Sequence, residues 1–187
     1  SDEAYARATG LFRILDEEGR ADAAMVPKLS QAELIQIYRG MLLSRTLDTR
    51  LLPMQRQGRI GFYIEARGQE AALIGGAHAL DKDDYFVPGL RETSAGLYRG
   101  MPLRTHLAQA FGNANDLTYG RQLPCHSGTR ASRHIVMSSC VSSQIPHATG
   151  IAWAAKIAKT KTVALCYMGD GGTSAEDFHV GMNFAAV

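Results

Sequence analysis

The segment Gly169-Asp170-Gly171-Gly172 is the part of this chain best suited to chemistry. It follows the apolar run 162–168 directly and precedes Thr173-Ser174-Ala175-Glu176. The run predicts a buried strand, and Thr173 with Glu176 has the capping-box spacing that predicts a helix start. Asp170 would then stand at the carboxyl end of a parallel strand, where open α/β sheets bind ligands. Glycines let the backbone turn sharply and approach a bulky anion, and a helix N-terminus favours phosphate. A bare carboxylate repels phosphate, so a hard divalent cation such as Mg²⁺, shared by Asp170 and diphosphate oxygens, completes the reading. Two alternatives stay open. The turn could be a plain strand-to-helix connection whose Asp caps the helix. It could also be a dinucleotide site, since Gly169-x-Gly171-x-x-Ser174 comes close to GxGxxG, although Asp170 occupies the place where pyrophosphate must approach.

Other residues could serve the same site. Arg91 follows the short apolar run 85–87 and Pro88-Gly89, so it could clamp a phosphate with two N–H groups; the competing expectation is an ion pair with Glu92. The run Ser138-Ser139-Cys140-Val141-Ser142-Ser143-Gln144 sets hydroxyls and an amide before a helix opening at Ile145-Pro146. It could wrap a cation or cap that helix. His126, beside Cys125, is a candidate pocket wall together with Phe62 and Tyr63, while His78, His106 and His179 fall on helices as surface or packing residues. Cys125, His126, His134 and Cys140 lack the paired spacing of a zinc site. GxSxG, P-loop and HExxH motifs are absent from the sequence.

The elements that must position these residues follow from pattern. Ser30 with Glu33 forms a capping box, and Leu34, Ile37, Tyr38, Met41 and Leu42 recur at helical spacing, predicting a helix to about Pro53. Residues 58–68 read as a loop and 69–80 as a small-residue helix. Helices are expected at 91–99, 102–111, 145–159 and 175–187. Strands are expected at 85–87, 162–168 and, inside the Gly/Ser/Asn-rich stretch 112–144, at 134–137. Helix–strand alternation points to an α/β fold with a mostly parallel sheet flanked by helices. Residues 1–28 read as an extended N-terminal arm with a turn at Asp16-Glu17-Glu18-Gly19, and 29–187 as one domain, apparently truncated and so the N-terminal part of a longer protein.

Composition sets the class. The 187 residues are 45% hydrophobic and 20% charged, ordinary values that exclude wholesale disorder. No apolar run reaches the ~18–20 residues of a membrane span, and the polar, acidic residues 1–19 are no signal peptide. Three cysteines without a CxxC pair point to a reducing compartment and against a disulfide scaffold. The net charge of +2 is uneven: residues 91–161 hold nine Lys/Arg against Glu92 and Asp116, a surplus of seven. That surplus could hold an anionic ligand. The aromatics there are not spaced as a stacking platform, so nucleic acid is not expected.

Four stretches carry a resemblance: RQGRIGFYIEARGQEAALIGGAHAL, GRQLPCHSG, SSQIPHATGIAWAAK and CYMGDGGTSAEDFHVGMNFAAV. From about Leu29 to Val187 the chain resembles the alpha subunit of a thiamine-diphosphate-dependent 2-oxo acid dehydrogenase. GRQLP with SSQIPHATG is similar to the branched-chain (2-oxoisovalerate) branch, the pyruvate branch being the alternative. The resemblance implies a thiamine-diphosphate-binding fold and oxidative decarboxylation of a branched-chain 2-oxo acid with acyl transfer to lipoyl. It implies a heterotetramer in which the cofactor lies between this subunit and a beta subunit, with a lipoyl-bearing acyltransferase core as the larger partner. Asp170 matches the family's Mg²⁺ ligand, Gly169, Gly171 and Gly172 the diphosphate turn, and Arg91 the diphosphate-binding Arg. Ser139 and Val141 match positions on the aminopyrimidine side. Ser138, Cys140, Ser143 and Gln144 match a monovalent-cation (K⁺) loop.

Departures accompany the match. Leu90 stands where the family has Tyr, and Cys140 and Val141 replace Pro and Leu. The Asn pair that completes the GDG motif falls some 25–30 residues further on in the family, and Asn183 is too near Gly171 to serve. By itself the chain is expected to be inactive. A non-catalytic assembly or binding module is the reading from another class, and a nucleotide-dependent dehydrogenase a third.

Overall fold

The computed structural model describes residues 14–187; the first thirteen residues of the expected arm lie outside them. The described residues divide into two units, one ending at Ile35 and one spanning 36–187. In the first, the expected acidic turn forms: Asp16 accepts hydrogen bonds from the backbone N–H (2.7 Å) and guanidinium (3.0 Å) of Arg20, with Gly19 at φ +77°. The capping box also forms. The Glu33 carboxylate accepts from the Ser30 N–H (2.7 Å) and hydroxyl (2.6 Å), and the Glu33 N–H donates to Ser30 Oγ (3.3 Å).

Helix α1 runs Gln31–Arg56, past the proline expected to end it. It does not bury the stripe read from the sequence. Leu34, Tyr38 and Leu42 are exposed, while Ser44, Leu47, Asp48 and Leu51 are buried. The polar members of that buried face are satisfied: Ser44 bonds Ser94 (3.0 Å), and Asp48 accepts from the Tyr63 hydroxyl (2.6 Å) and the Ala66 N–H (3.0 Å). Leu47, Leu51 and Ile60 form one core cluster. Apolar spacing alone could not find this face, because two of its residues are buried by hydrogen bonding rather than hydrophobicity.

Beyond it come α2 (Glu70–Ala79), β1 (Tyr85–Val87), α3 (Thr93–Tyr98), α4 (Leu103–Phe111), α5 (Gln144–Ile157), β2 (Ala164–Cys166) and α6 (Glu176–Ala186). Strands β1 and β2 pair in parallel with Phe86 opposite Leu165. The expected strand at 134–137 contracts to bridges made by His134, parallel to Phe86 and antiparallel to Thr129. Arg133 starts that contact in the left-handed region at φ +52°, which turns the chain too sharply for a regular strand to begin. Ala77, Phe86 and Ala95 form the second core cluster, with Leu165 and Tyr167 against it. Helix α5 packs on both strands and on α6, and α2 packs on α3. On α2, Gly76 receives the Tyr167 side chain, whose hydroxyl donates to Ala72 O at 2.5 Å. The result is an α/β arrangement of helices about a small parallel sheet. Among the described residues no helix is long and apolar enough to cross a membrane.

Candidate functional site

Parallel pairing in this register puts the carboxyl ends of β1 and β2 side by side, and a cleft of about 710 Å³ opens there. It is lined by 89–92 after β1, 138–142 with Gln144 before α5 and 167–172 after β2, with Ile64, Gln69, Ala72 and Leu73 beside them. Arg91, Ser138, Ser139, Cys140, Val141, Gln144, Gly169, Asp170, Gly171 and Gly172 therefore share one wall system, although up to 81 positions separate them in the chain. Ser143 and His126 do not line this cleft. His126 borders a second, smaller concavity of about 430 Å³, whose wall also includes Ser138 and Ser139.

Asp170 is exposed on the cleft, and its carboxylate makes no hydrogen bond or ion pair among the described residues. It opens a 3-10 turn, Asp170–Ser174, whose Thr173 hydroxyl donates to Asp170 O at 2.8 Å. This corrects the expected capping box. Helix α6 begins only at Glu176, Ala175 is its N-cap, and no side chain caps it. A tight turn satisfies Thr173 locally, so the residues beside Asp170 belong to that turn, not to an α-helix end.

The glycines have separate reasons. A Cβ on Gly172 would lie 2.6 Å from Ser142 Oγ, and the Ser142 hydroxyl donates to Gly172 O at 2.7 Å. Gly172 is thus required by protein against protein. A Cβ on Gly169 or Gly171 would meet nothing within 4 Å, so no protein neighbour demands a glycine there. Bare backbone beside open space suits close approach of a ligand.

Arg91 is half-buried, and Nη1 donates to Glu65 O at 2.6 Å. The expected ion pair with Glu92 is replaced by a backbone contact: the Arg91 N–H donates to Glu92 Oε2 at 3.0 Å. The other guanidinium N–H groups have no partner among the described residues, leaving a fork that can grip phosphate oxygens. In the serine turn, Ser138 Oγ accepts from the Cys140 N–H (3.2 Å), the Ser143 hydroxyl donates to Cys140 O (2.8 Å), and Gln144 Nε2 donates to Tyr167 O (2.9 Å). Val141 is 64% exposed within the cleft, an apolar surface for a ring to rest on.

Sequence reasoning read Glu92 only as an ion-pair partner of Arg91 and Ser142 only as one hydroxyl of a run; both build the site. Glu92 is buried beneath the cleft, and burial raises its pKa against the lowering effect of N–H groups from Arg91, Gly89 and its own residue. Its oxygen lies 3.2 Å from where a Gly89 Cβ would be, so it braces the turn that carries Arg91. Ser142 is buried at φ +69°; no spacing rule marks a serine for that conformation. Of the candidate pocket walls, Phe62 lies 5.8 Å from the His126 ring, whereas the Tyr63 hydroxyl is committed to Asp48. Burial pushes the Cys125 thiol up to about 12, which makes it a packing group and not a nucleophile. Among the described residues no three His, Cys, Asp or Glu side chains converge on a metal position.

The GDGG turn, a carboxylate without a partner among the described residues and the Arg91 guanidinium line one cleft at the carboxyl ends of parallel strands, the place where open α/β sheets bind ligands. The chain belongs to the dehydrogenase E1 component family, whose profile matches residues 38–187. It is 41% identical over 177 residues to the bovine (Bos taurus) mitochondrial 2-oxoisovalerate dehydrogenase subunit alpha, covering 94% of this chain and 39% of the relative. Against the human protein of that name it is 40% identical over 94% of this chain and 40% of the relative. The Arabidopsis thaliana subunit alpha 1 is 38% identical over 99% of this chain and 39% of its own length. The chain thus spans about two fifths of the curated relatives it matches.

Proposed function

We propose that this chain forms the diphosphate- and metal-binding half of a thiamine diphosphate site in the decarboxylating component of a branched-chain 2-oxo acid dehydrogenase, as its alpha subunit. The observation that carries the reading is the Asp170 carboxylate, without a partner among the described residues, on the same cleft as Arg91, whose guanidinium keeps N–H groups beyond the one that Glu65 O takes. These residues fit the group. Asp170 would hold Mg²⁺, which needs only one or two protein carboxylates when phosphate oxygens complete its shell. Arg91 would take diphosphate oxygens, the bare backbone of Gly169 and Gly171 would admit them, and Gly172 would keep the turn seated on Ser142. Ser139 and Val141 would face the aminopyrimidine. The oxygens of Ser138, Cys140, Ser143 and Gln144, gathered on one turn, would serve a monovalent cation such as K⁺.

When bound, thiamine diphosphate supplies the carbon nucleophile and the electron sink that loss of carbon dioxide from a 2-oxo acid needs. This chain's residues bind, orient and balance charge. The remaining wall would come from a beta subunit, and the acyl group would pass to the lipoyl arm of an acyltransferase core. Exposed Trp153, Ile157 and Phe184 on α5 and α6 give apolar surface of the kind that assemblies cover. The relatives are named as mitochondrial, which supports a mitochondrial matrix location for a eukaryotic protein; a bacterial-type protein would be cytoplasmic.

Calorimetry on the full-length alpha–beta assembly tests the reading. With Mg²⁺ present, Asp170→Ala is expected to weaken thiamine diphosphate binding by about tenfold or more, ~1.4 kcal/mol. Equal affinity in the variant and the parent would remove Asp170 from the role.

A further inference from the structure

The two concavities share a wall, and one buried side chain stands behind it. His126 is 2% exposed. Its Nδ1 lies 3.0 Å from Pro124 O, a group that can only accept, so Nδ1 carries the proton. In the neutral imidazole Nε2 is then bare, and Nε2 meets the Ser139 hydroxyl. Ser139 must donate its single proton there. Ser139 is an exposed residue that lines both concavities, and with its proton committed to His126 its hydroxyl has lone pairs only to offer a ligand. The imidazole has little freedom to turn. The Phe62 ring packs on it at 5.8 Å, and the neighbouring Cys125, at φ +65°, directs its thiol to Phe62 O.

We propose that His126 is a positioning residue that fixes Ser139 as a hydrogen-bond acceptor on the cleft wall, so that the site selects a ligand presenting an N–H at that point over one presenting a lone pair. The inference rests on the thiamine diphosphate reading and deepens it: the cofactor's aminopyrimidine carries an exocyclic amino group, and its 4′-oxo analogue carries an acceptor in the same place. A buried-side partner that cannot reverse its bond makes the mismatch costly, because two acceptors are left facing one another.

The test uses the full-length alpha–beta assembly with Mg²⁺ at about pH 8, where an ordinary imidazole is neutral. Dissociation constants for thiamine diphosphate and its 4′-oxo analogue are measured by calorimetry, and their ratio is the readout. The parent is expected to prefer the amino form by about tenfold. Ser139→Ala and His126→Phe should bring the ratio close to one. His126→Gln, whose amide oxygen can accept in place of Nε2, should keep most of it. Ser139 is exposed, so Ser139→Ala decides the matter even if His126→Phe does not fold. A parent with no preference, or a Ser139→Ala variant that keeps the parental ratio, overturns the inference. Asp170→Ala separates this from the underlying reading. Weaker binding of both ligands with the ratio intact leaves both standing, unchanged affinity for both removes Asp170 from its role, and a parent assembly that binds neither ligand removes the cofactor assignment itself.

Discussion

At the scale of single residues, charge placement decides what each group can do. Of the nine basic residues in 91–161, only Arg91 lines the cleft. Arg99 donates to Asp84 O and Ser132 O, and Arg133 bonds the Tyr85 hydroxyl and lies over its ring at 4.8 Å. Arg91→Met should therefore weaken thiamine diphosphate far more than unphosphorylated thiamine, by about tenfold in the ratio of their dissociation constants. Equal losses for both ligands would show that Arg91 does not read the diphosphate. Burial also leaves a pH signature. It holds His106 down to about 4 and His134 to about 3, the latter also repelled by His106 and Arg99. Histidines of the unfolded chain titrate near 6.5. Between about pH 6.5 and 4 the unfolded chain takes up protons that the native one refuses, so stability falls as pH falls through that window. Glu92 tilts the other way: its raised folded value gives a contribution present at low pH and lost as pH rises through it. Urea midpoints should fall between about pH 7 and 5, and His106→Leu should flatten the decline. An identical slope in that variant would contradict the burial account.

Elements set the angle at which those residues meet. The serine turn is fastened to the end of β2 twice, by Ser142 to Gly172 O and by Gln144 to Tyr167 O. Gly172→Ala would drive a methyl group into Ser142 Oγ, 2.6 Å away, and break the first fastening. Overpacking of this sort costs about 1–3 kcal/mol, readable as a lower urea midpoint together with weaker cofactor binding. Gly171→Ala meets no protein atom; it should leave the urea midpoint unchanged and weaken binding alone. If both variants behave alike, the distinction between a packed glycine and a ligand-facing one is wrong. Gly181 marks the same principle on α6, since its Cβ would stand 2.7 Å from the Ile145 side chain of α5.

For the molecule as a whole, the basic surplus is spread rather than focused. The salt dependence of diphosphate binding should therefore be that of a single guanidinium, shallow across about 0.05–0.5 M salt and nearly abolished in Arg91→Met. Removing Arg104 or Arg130, which do not line the cleft, should leave it as it was. A steep slope shared by those variants would restore the field of the whole basic segment as the attractive force. Apolar surface is likewise distributed: Trp153, Ile157 and Phe184 stay exposed on α5 and α6 while Leu51, Leu73 and Phe86 are closed in.

The sequence by itself determined the order strand–GDGG–helix, the helices that flank it, and the residue types able to meet a diphosphate. These are local properties: an apolar run, glycines where the chain turns, and a carboxylate between them depend on near neighbours alone. The capping box at Ser30 was legible for the same reason, and the one at Thr173 failed because a 3-10 turn competed for the same hydroxyl. Only the tertiary structure decided which groups remain free. Parallel pairing of Phe86 with Leu165 brings residues 91 and 170 to one cleft, and no spacing rule spans that separation. Likewise Glu65 O engaged Arg91, Glu92 went beneath the cleft, and His126 turned Ser139 into an acceptor. Each of these depends on which distant backbone arrives within 3 Å, a matter of how the chain closes on itself and not of any segment's own preference.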